Sequence, residues 1–502
     1  MSPHFRYMLK YIKRCLFEIL MALPEKMNLK YFIIPIALII ILSLSETYPL
    51  YSRFRYPLSW DIWYHMRIVE NFSNGFFTFD PVSFGPEGRP HTYPPLFHII
   101  LLGLYKLLNQ FGLSLTDTAR LMPSILFPLS TISTFLFIRR FYGEKVGLLT
   151  SFFVLVMPVS LDRGIIASPQ SVALILIPLG FLTYLLGFEE KKYLLLSGVL
   201  SSAVFYTHGL SFIVFYLSIA MYTLLLYLTN KETKIQNFCF FTIITIIISI
   251  PWGIQLLKHG VASNIPYGGI FKLSFYPVKL GYITMALALP GVVFLLLRGK
   301  NEDLMLLSWG IIAFVFSRNY LASLDLLPFR FLEFLAYPIA FYSSFALFEF
   351  AKDKKKEAII AAIIGVMIIS SFPAAEYVSK VKPMIGNEEC SAFVYLKDNS
   401  LFGNITVASS WFTSPIIGKV SGFKTVEGGY ASGSWDYIKR SQDIKALYSG
   451  NYSIIDSYNI KYSYVGPREI AEFGNSENYI NASSIDKLYS TSKTSLLIFW
   501  GD

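Results

Sequence analysis

Charge is scarce in this sequence: 15% of its 502 residues are Asp, Glu, Lys or Arg, against 54% hydrophobic ones. A soluble globular chain carries about 25% charged residues, so a freely soluble protein is excluded. Cysteine is scarcer still. Cys15, Cys239 and Cys390 are too few and too far apart for a metal knuckle or a disulfide framework, and they set no redox compartment. The polar C-terminal stretch has no nucleotide loop, nucleophile elbow or zinc spacing. The hydrophobic pattern also lacks an internal repeat and paired Gly/Pro-broken helices in corresponding halves, which argues against a transporter.

What is present is apolar and aromatic, with 44 Phe and 33 Tyr. The apolar residues gather into runs of roughly 15–24, the length that crosses ~30 Å of hydrocarbon as helix. These runs stop near Pro373. The formal charge of +10 sits in short loops between them. That is a membrane-topology signal and excludes a nucleic-acid surface. Arg6, Lys10, Lys13, Arg14, Lys26 and Lys30 precede the run Tyr31–Leu44, which continues into Ser45-Glu46-Thr47-Tyr48-Pro49 without a small-residue exit, so it reads as an uncleaved first span.

With the basic N-terminus cytoplasmic, the loops Arg139…Lys145, Glu189…Lys192, Lys231…Lys234, Arg298…Asp303 and Lys352…Lys356 should also be cytoplasmic. Spans that satisfy this are 31–45, 121–138, 146–161, 169–188, 193–207, 210–228, 236–257, 279–297, 304–317, 328–351 and 358–373. Counting Leu96–Leu108 as a further span would invert every later loop, so it reads as an interfacial or re-entrant helix. The expected fold is a polytopic α-helical membrane protein: about 11 transmembrane helices in residues 1–373, a first outer loop at 46–120, and an extracytoplasmic α/β domain at 374–502. The sequons at Asn71, Asn404, Asn451 and Asn481 all fall outside. The expected location is the cell membrane.

Candidate chemistry collects on that outer face. Asp61 and His65, with Arg67 nearby, lie at helical spacing and could handle a phosphate and deprotonate a nucleophile. Equally, Asp61 could be an N-cap on an amphipathic helix whose Trp60, Trp63 and Tyr64 form an interfacial belt. Arg163 stands in a short outer turn and needs an anion, either its neighbour Asp162 or a lipid phosphate. His208 sits at the junction of two spans as an interfacial hydrogen-bonding residue or a ligand. Arg330 opens a late span, where it could snorkel, with Glu333 one turn on to neutralise it.

These pieces resemble the type C glycosyltransferase superfamily, and within it archaeal relatives of oligosaccharyltransferase catalytic subunits. The matching residues are Asp61-Ile62-Trp63-Tyr64-His65-Met66-Arg67, the stretch ending Tyr93-Pro94-Pro95-Leu96, the Arg163 turn and Arg330, spread over about 300 residues in the family's order. The resemblance implies transfer of a sugar or glycan from a polyprenyl phosphate or diphosphate to a glycan or protein acceptor. Asp61 and His65 would then be catalytic, and Arg67, Arg163, His208 and Arg330 would bind the donor phosphate. A divalent cation (Mg or Mn) would rest on Asp61 with Asp162 as a substitute ligand, because Ala167-Ser168-Pro169-Gln170-Ser171 lacks the family's acidic pair. Of the family's tryptophan-rich acceptor motif the chain keeps Trp411, in Ala408–Pro415; Trp435-Asp436-Tyr437 comes later and reads as coincidence. The competing readings are a metal-independent monosaccharide transferase and, in another class, a transporter or a non-catalytic assembly protein.

Overall fold

The structure is a computed structural model; it describes residues 29–229, 235–260, 272–324, 326–352, 356–403, 405–431, 434, 436–474, 485–491 and 493–499. Two of the sequons, Asn404 and Asn481, and Trp435 lie outside the described residues. The chain forms two compact units. The first combines residues up to 53 with 121–251 and 266–381, and the second combines 54–120, 252–265 and 382–502.

The first unit is helical. Each of the eleven expected spans falls on helical segments, and two of them are divided between two helices. Six described helices are long and apolar enough to cross a bilayer, or up to eight if each of two bent pairs is one span. Helices Lys191–Phe205 and Asn301–Phe316 have 15 and 16 residues. At 1.5 Å per residue they reach only about 22–24 Å, which is why these two are not among them.

Four boundaries differ from expectation, each for a local reason. The first helix runs Leu29–Arg53 rather than stopping at 45. Its polar side chains stay inside the helix because Ser45 Oγ and Thr47 Oγ1 donate back to the carbonyls of Leu42 and Ser43, at 2.7 and 2.9 Å. The last helix runs Lys356–Lys380, through Pro373, since Ala374-Ala375 favour helix and Lys380 pairs with Glu376 one turn back. The expected span 146–161 breaks by 75° between Glu144–Val156 and Pro158–Gly164. Met157, forced into an extended conformation by the following proline, makes that break. The expected span 279–297 likewise bends by 104°, at Gly281, whose φ of +82° closes one helix at Leu280 before Tyr282–Arg298 begins.

Small residues let the helices of this unit approach. Gly291 of Tyr282–Arg298 lies so close to Pro328–Ala351 that a Cβ there would fall 2.0 Å from the Tyr342 carbonyl oxygen. Buried charge is paired: Asp303 accepts from Arg298 and from the Tyr142 hydroxyl, the latter at 2.7 Å.

The second unit is built on a mixed five-stranded sheet with strand order β4-β3-β5-β7-β6. Here β3 is Thr406–Ala408, β4 Lys424–Thr425, β5 Ile460–Val465, β6 Ile485–Ser490 and β7 Ser495–Phe499, while β1 (Phe79–Asp80) and β2 (Arg89–Pro90) form a separate antiparallel pair. β3 runs parallel to β4 and β5, and the β5-β7-β6 side is antiparallel. Its core is Ala408, Val426, Ile444, Leu447, Ile460, Val465, Leu497 and Phe499. The 80s loop is knit to the sheet edge: Thr425 N donates to Val82 O at 3.1 Å, Gly85 N to Thr425 O at 2.8 Å, and Arg440 reaches Gly85 O and Glu87.

Candidate functional site

In the second unit, helix Asp61–Ser73 positions the first group of candidates. Its N-cap is Trp60, with no side-chain cap, so Asp61 is the first helical residue and not the cap. Its backbone N–H donates to Ser59 Oγ at 3.2 Å, and its partly exposed carboxylate sits where the helix dipole favours negative charge. One turn on, His65 turns inward: it is 3% exposed, and its Nδ1 lies 2.9 Å from Nε2 of His98 on the helix Leu96–Leu108. That helix has 13 residues, short of a full span.

His91 completes an imidazole cluster, its ring centroid 5.5 Å from that of His98. Both of its ring nitrogens are buried without a hydrogen-bond partner among the described residues. Burial, then the neighbouring Arg89 and His65, push His91 down to about 3. Burial likewise holds His98 well below the ordinary imidazole range. Tyr93 stacks edge-on to His65 at 5.0 Å and to Tyr430 at 4.6 Å. Gly429, at φ +78°, lets the chain before Tyr430 pass the Tyr64 ring, which a Cβ would strike at 2.6 Å.

Arg67 is engaged within its own helix, Nη1 lying 3.1 Å from Glu70, whose other oxygen meets Lys419 Nζ at 2.8 Å. Trp411 is a core residue, 6% exposed and edge-on to Phe84 at 5.9 Å. Its neighbour Phe412 packs against Trp60 at 4.7 Å, beside the start of the Asp61 helix. Glu427 is buried between β4 and the glycine turn, accepts from Ser441 Oγ, and is pushed by that burial up to about 8.

In the first unit, Arg163 lies on Pro158–Gly164 and is 6% exposed. Its partner is neither Asp162 nor solvent. Nε and Nη2 donate in parallel to the two carboxylate oxygens of Glu333, both at 2.8 Å. Consecutive helical residues point about 100° apart, so Asp162 cannot face its neighbour; it meets Lys279 Nζ instead, at 3.1 Å. Glu333 thus meets Arg163 from another helix, and Arg330 lies over the Phe329 ring at 5.4 Å. His208 caps the helix Gly209–Leu228: Nδ1 accepts from the Ser211 amide and lies 2.8 Å from its hydroxyl.

Arg163 Nη1 and both amide atoms of Gln170 are buried with no hydrogen-bond partner among the described residues. In the sequence, Gln170 stands only in a stretch that lacks the family's acidic pair, with no local signal that it would be buried without a partner among the described residues. A carboxylate one turn inside an apolar span was the signal that Glu333 must meet a cation.

Among the described residues no three His, Cys, Asp or Glu side chains come together to hold a metal ion. With Asp162 paired to Lys279, the described residues do not fit a divalent cation.

Residues 30–385 match the family described as Oligosaccharyl transferase STT3, N-terminal. A curated relative, dolichyl-phosphooligosaccharide-protein glycotransferase 2 of Pyrococcus horikoshii, is 32% identical over 139 residues, which cover 26% of this chain and only 17% of the relative. The oligosaccharyltransferase of Archaeoglobus fulgidus superposes with a TM-score of 0.67 at 13% identity over 94% of this chain and 74% of its own. Other structures of that protein hold zinc and sulfate, or an inhibitory peptide and a dolichol-phosphate. ArnT from Cupriavidus metallidurans, also seen with undecaprenyl phosphate, superposes at 0.61 and 13% identity over 93% of this chain and 97% of its own. The chain therefore belongs to the STT3 family of the GT-C superfamily, related to the catalytic subunits of oligosaccharyltransferases.

Proposed function

We propose that this protein is a membrane glycosyltransferase that moves a sugar or glycan from a polyprenyl phosphate or diphosphate to an acceptor on the extracytoplasmic face, its N-terminus cytoplasmic and its chain crossing eleven times. The observation that carries this reading is Arg163. Glu333 fixes its plane through two nitrogens, and the third, Nη1, is buried with no protein acceptor among the described residues. A guanidinium held in this way is prepared for a phosphate oxygen. As the acceptor's nucleophilic atom bonds to the sugar C1 and the C1–O bond to phosphate breaks, the charge that grows on the phosphate leaving group is stabilised by this preorganised donor, with Arg330 adding positive charge. Asp61, the one partly exposed acid of its helix apart from Glu70, takes the proton of the acceptor. His65, tied to His98, holds that helix in place. The relatives seen with dolichol-phosphate and undecaprenyl phosphate support a lipid-linked donor.

A metal-independent transfer is the second reading, favoured by the Lys279–Asp162 pair, which puts an ammonium where a cation ligand was expected. The test is release of label from a sugar-labelled polyprenyl-phosphate pool by membranes holding wild type or Asp61→Ala, with and without a divalent chelator. Loss in Asp61→Ala with retention under chelator supports metal-free transfer. Loss in both restores the metal, and an inactive wild type on every native lipid pool overturns the enzyme reading.

A further inference from the structure

Three helices of the first unit, Leu29–Arg53, Glu144–Val156 and Lys356–Lys380, enclose a cleft of about 450 Å3. Its walls are apolar: Leu42, Leu50, Phe152, Leu155, Val156 and Ala374. One carboxyl group, that of Glu46, opens into it, and Glu46 Oε2 is shielded from solvent with no hydrogen-bond partner among the described residues. The hydroxyls beside it are already committed. Ser45 donates to Leu42 O at 2.7 Å, Ser371 to Met367 O at 2.8 Å and Ser379 to Glu376 O at 2.7 Å, each within its own helix. A carboxyl oxygen shielded from water without a partner is unfavourable, so a group outside the described residues should supply one.

We infer that the cleft binds the hydroxyl-bearing end of a single-chain membrane lipid, with the lipid hydroxyl hydrogen-bonded to Glu46. Three further observations select that occupant. A hydroxyl both donates and accepts, so it serves a carboxyl in either protonation state. At ~30 Å3 for each water-sized atom group, the cleft holds at least about fifteen such groups, one chain segment and not a folded headgroup. Arg53 at the rim follows Glu46 by seven residues, two helical turns or about 10 Å, on the same helix face. Its Nη1 reaches the Ser379 carbonyl at 3.4 Å, bridging the first and last helices at the mouth. The first helix is only 28% buried, so the lipid can enter sideways from the bilayer.

The test uses the full chain in detergent with two photoreactive probes, a diazirine-bearing hexadecanol and its methyl ether, followed by mapping of the labelled peptides. The alcohol should label the peptide containing Phe152–Val156, at about tenfold the level of the ether, the factor that 1.4 kcal/mol of hydrogen bonding supplies. Glu46→Leu should abolish that difference and Glu46→Gln should keep most of it. Leu155→Trp, which fills the cleft and leaves Glu46 in place, should lower labelling by both probes. Equal labelling by alcohol and ether in the wild type, or an unchanged preference in Glu46→Leu, would overturn the inference. If Glu46→Leu does not fold, Leu155→Trp decides: undiminished labelling of Phe152–Val156 in that variant places the probe outside the cleft and overturns it equally.

Discussion

Both units bury charge in pairs, and the sheet-bearing unit buries imidazoles as well. In the helical unit, charge goes inside in pairs: Arg163 with Glu333, and Arg298 with Asp303 and Tyr142. In the sheet-bearing unit, Arg89 pairs with Asp80 at 3.6 Å, and His65, His91 and His98 form a buried cluster among aromatic rings, burial pushing His91 and His98 toward the neutral form. The difference follows from the surroundings. A guanidinium at membrane depth has no water to solvate it and keeps its charge only against a carboxylate. An imidazole can discard its charge and settle among Phe72, Phe97 and Tyr93. The first solution is vulnerable to mutation and the second to pH.

The largest effect should come from splitting the Arg163–Glu333 pair. Glu333→Ala leaves a buried guanidinium unpartnered and should cost about 3–5 kcal/mol, enough to deplete folded protein from membranes. The double variant Arg163→Met/Glu333→Leu replaces both charges by apolar groups of similar volume and should unfold within about 1–2 kcal/mol of wild type. Thermal unfolding in detergent reads both. Label release then separates structure from function, because a stable but inactive double variant is the outcome expected of a phosphate-binding guanidinium. A stable and active one would mean that the pair serves packing alone.

Much of the helical unit was legible, because its helices are continuous apolar runs bounded by clustered charge. What was not legible has physical causes. The pairing of Arg163 with Glu333 joins residues 170 positions apart, and nothing local prefers it to the Arg330–Glu333 spacing within one helix. Met157-Pro158 breaks a run whose hydropathy does not change, so composition hides the 75° bend. In the second unit, β3, β5 and β7 are legible from their β-branched and aromatic residues. β4 is two residues long, and its pairing with β3 depends on a crossover through Ser414–Ser421. His65 was legible as a candidate, but not its burial: His91 and His98 come from a loop and another helix, and only the fold brings them to it.

The pH effect should be the next largest. In the unfolded chain His91 titrates near 6.5, whereas burial holds it at about 3 in the folded protein. Between those values the unfolded state binds more protons, so stability is full above about pH 6.5 and declines as pH falls toward 3. The slope approaches about 1.4 kcal/mol per pH unit for each such imidazole, and His98 shifts in the same direction. Thermal midpoints measured between pH 7.5 and 4.5 should fall steeply for wild type and less steeply for His91→Phe. Parallel curves for the two proteins would assign the acid sensitivity elsewhere.

The smallest effect sharpens the comparison most, because it asks whether a charge at the edge of the sheet-bearing unit does more than hold structure. Arg67 and Glu70 are an i,i+3 pair with side chains 19% and 33% exposed, and Lys419 shares the carboxylate. Exposed pairs of this kind contribute about 0.2–0.5 kcal/mol, and Lys419 would remain to satisfy Glu70, so Arg67→Gln should barely move the unfolding midpoint. If Arg67 also meets the donor phosphate, its loss removes a charge-assisted hydrogen bond and transfer should fall by about tenfold or more. A fall in activity with an unchanged midpoint would make Arg67 a donor-binding group. If activity and midpoint both hold, Arg67 is an ordinary surface ion pair, and the donor phosphate depends on the arginines of the helical unit.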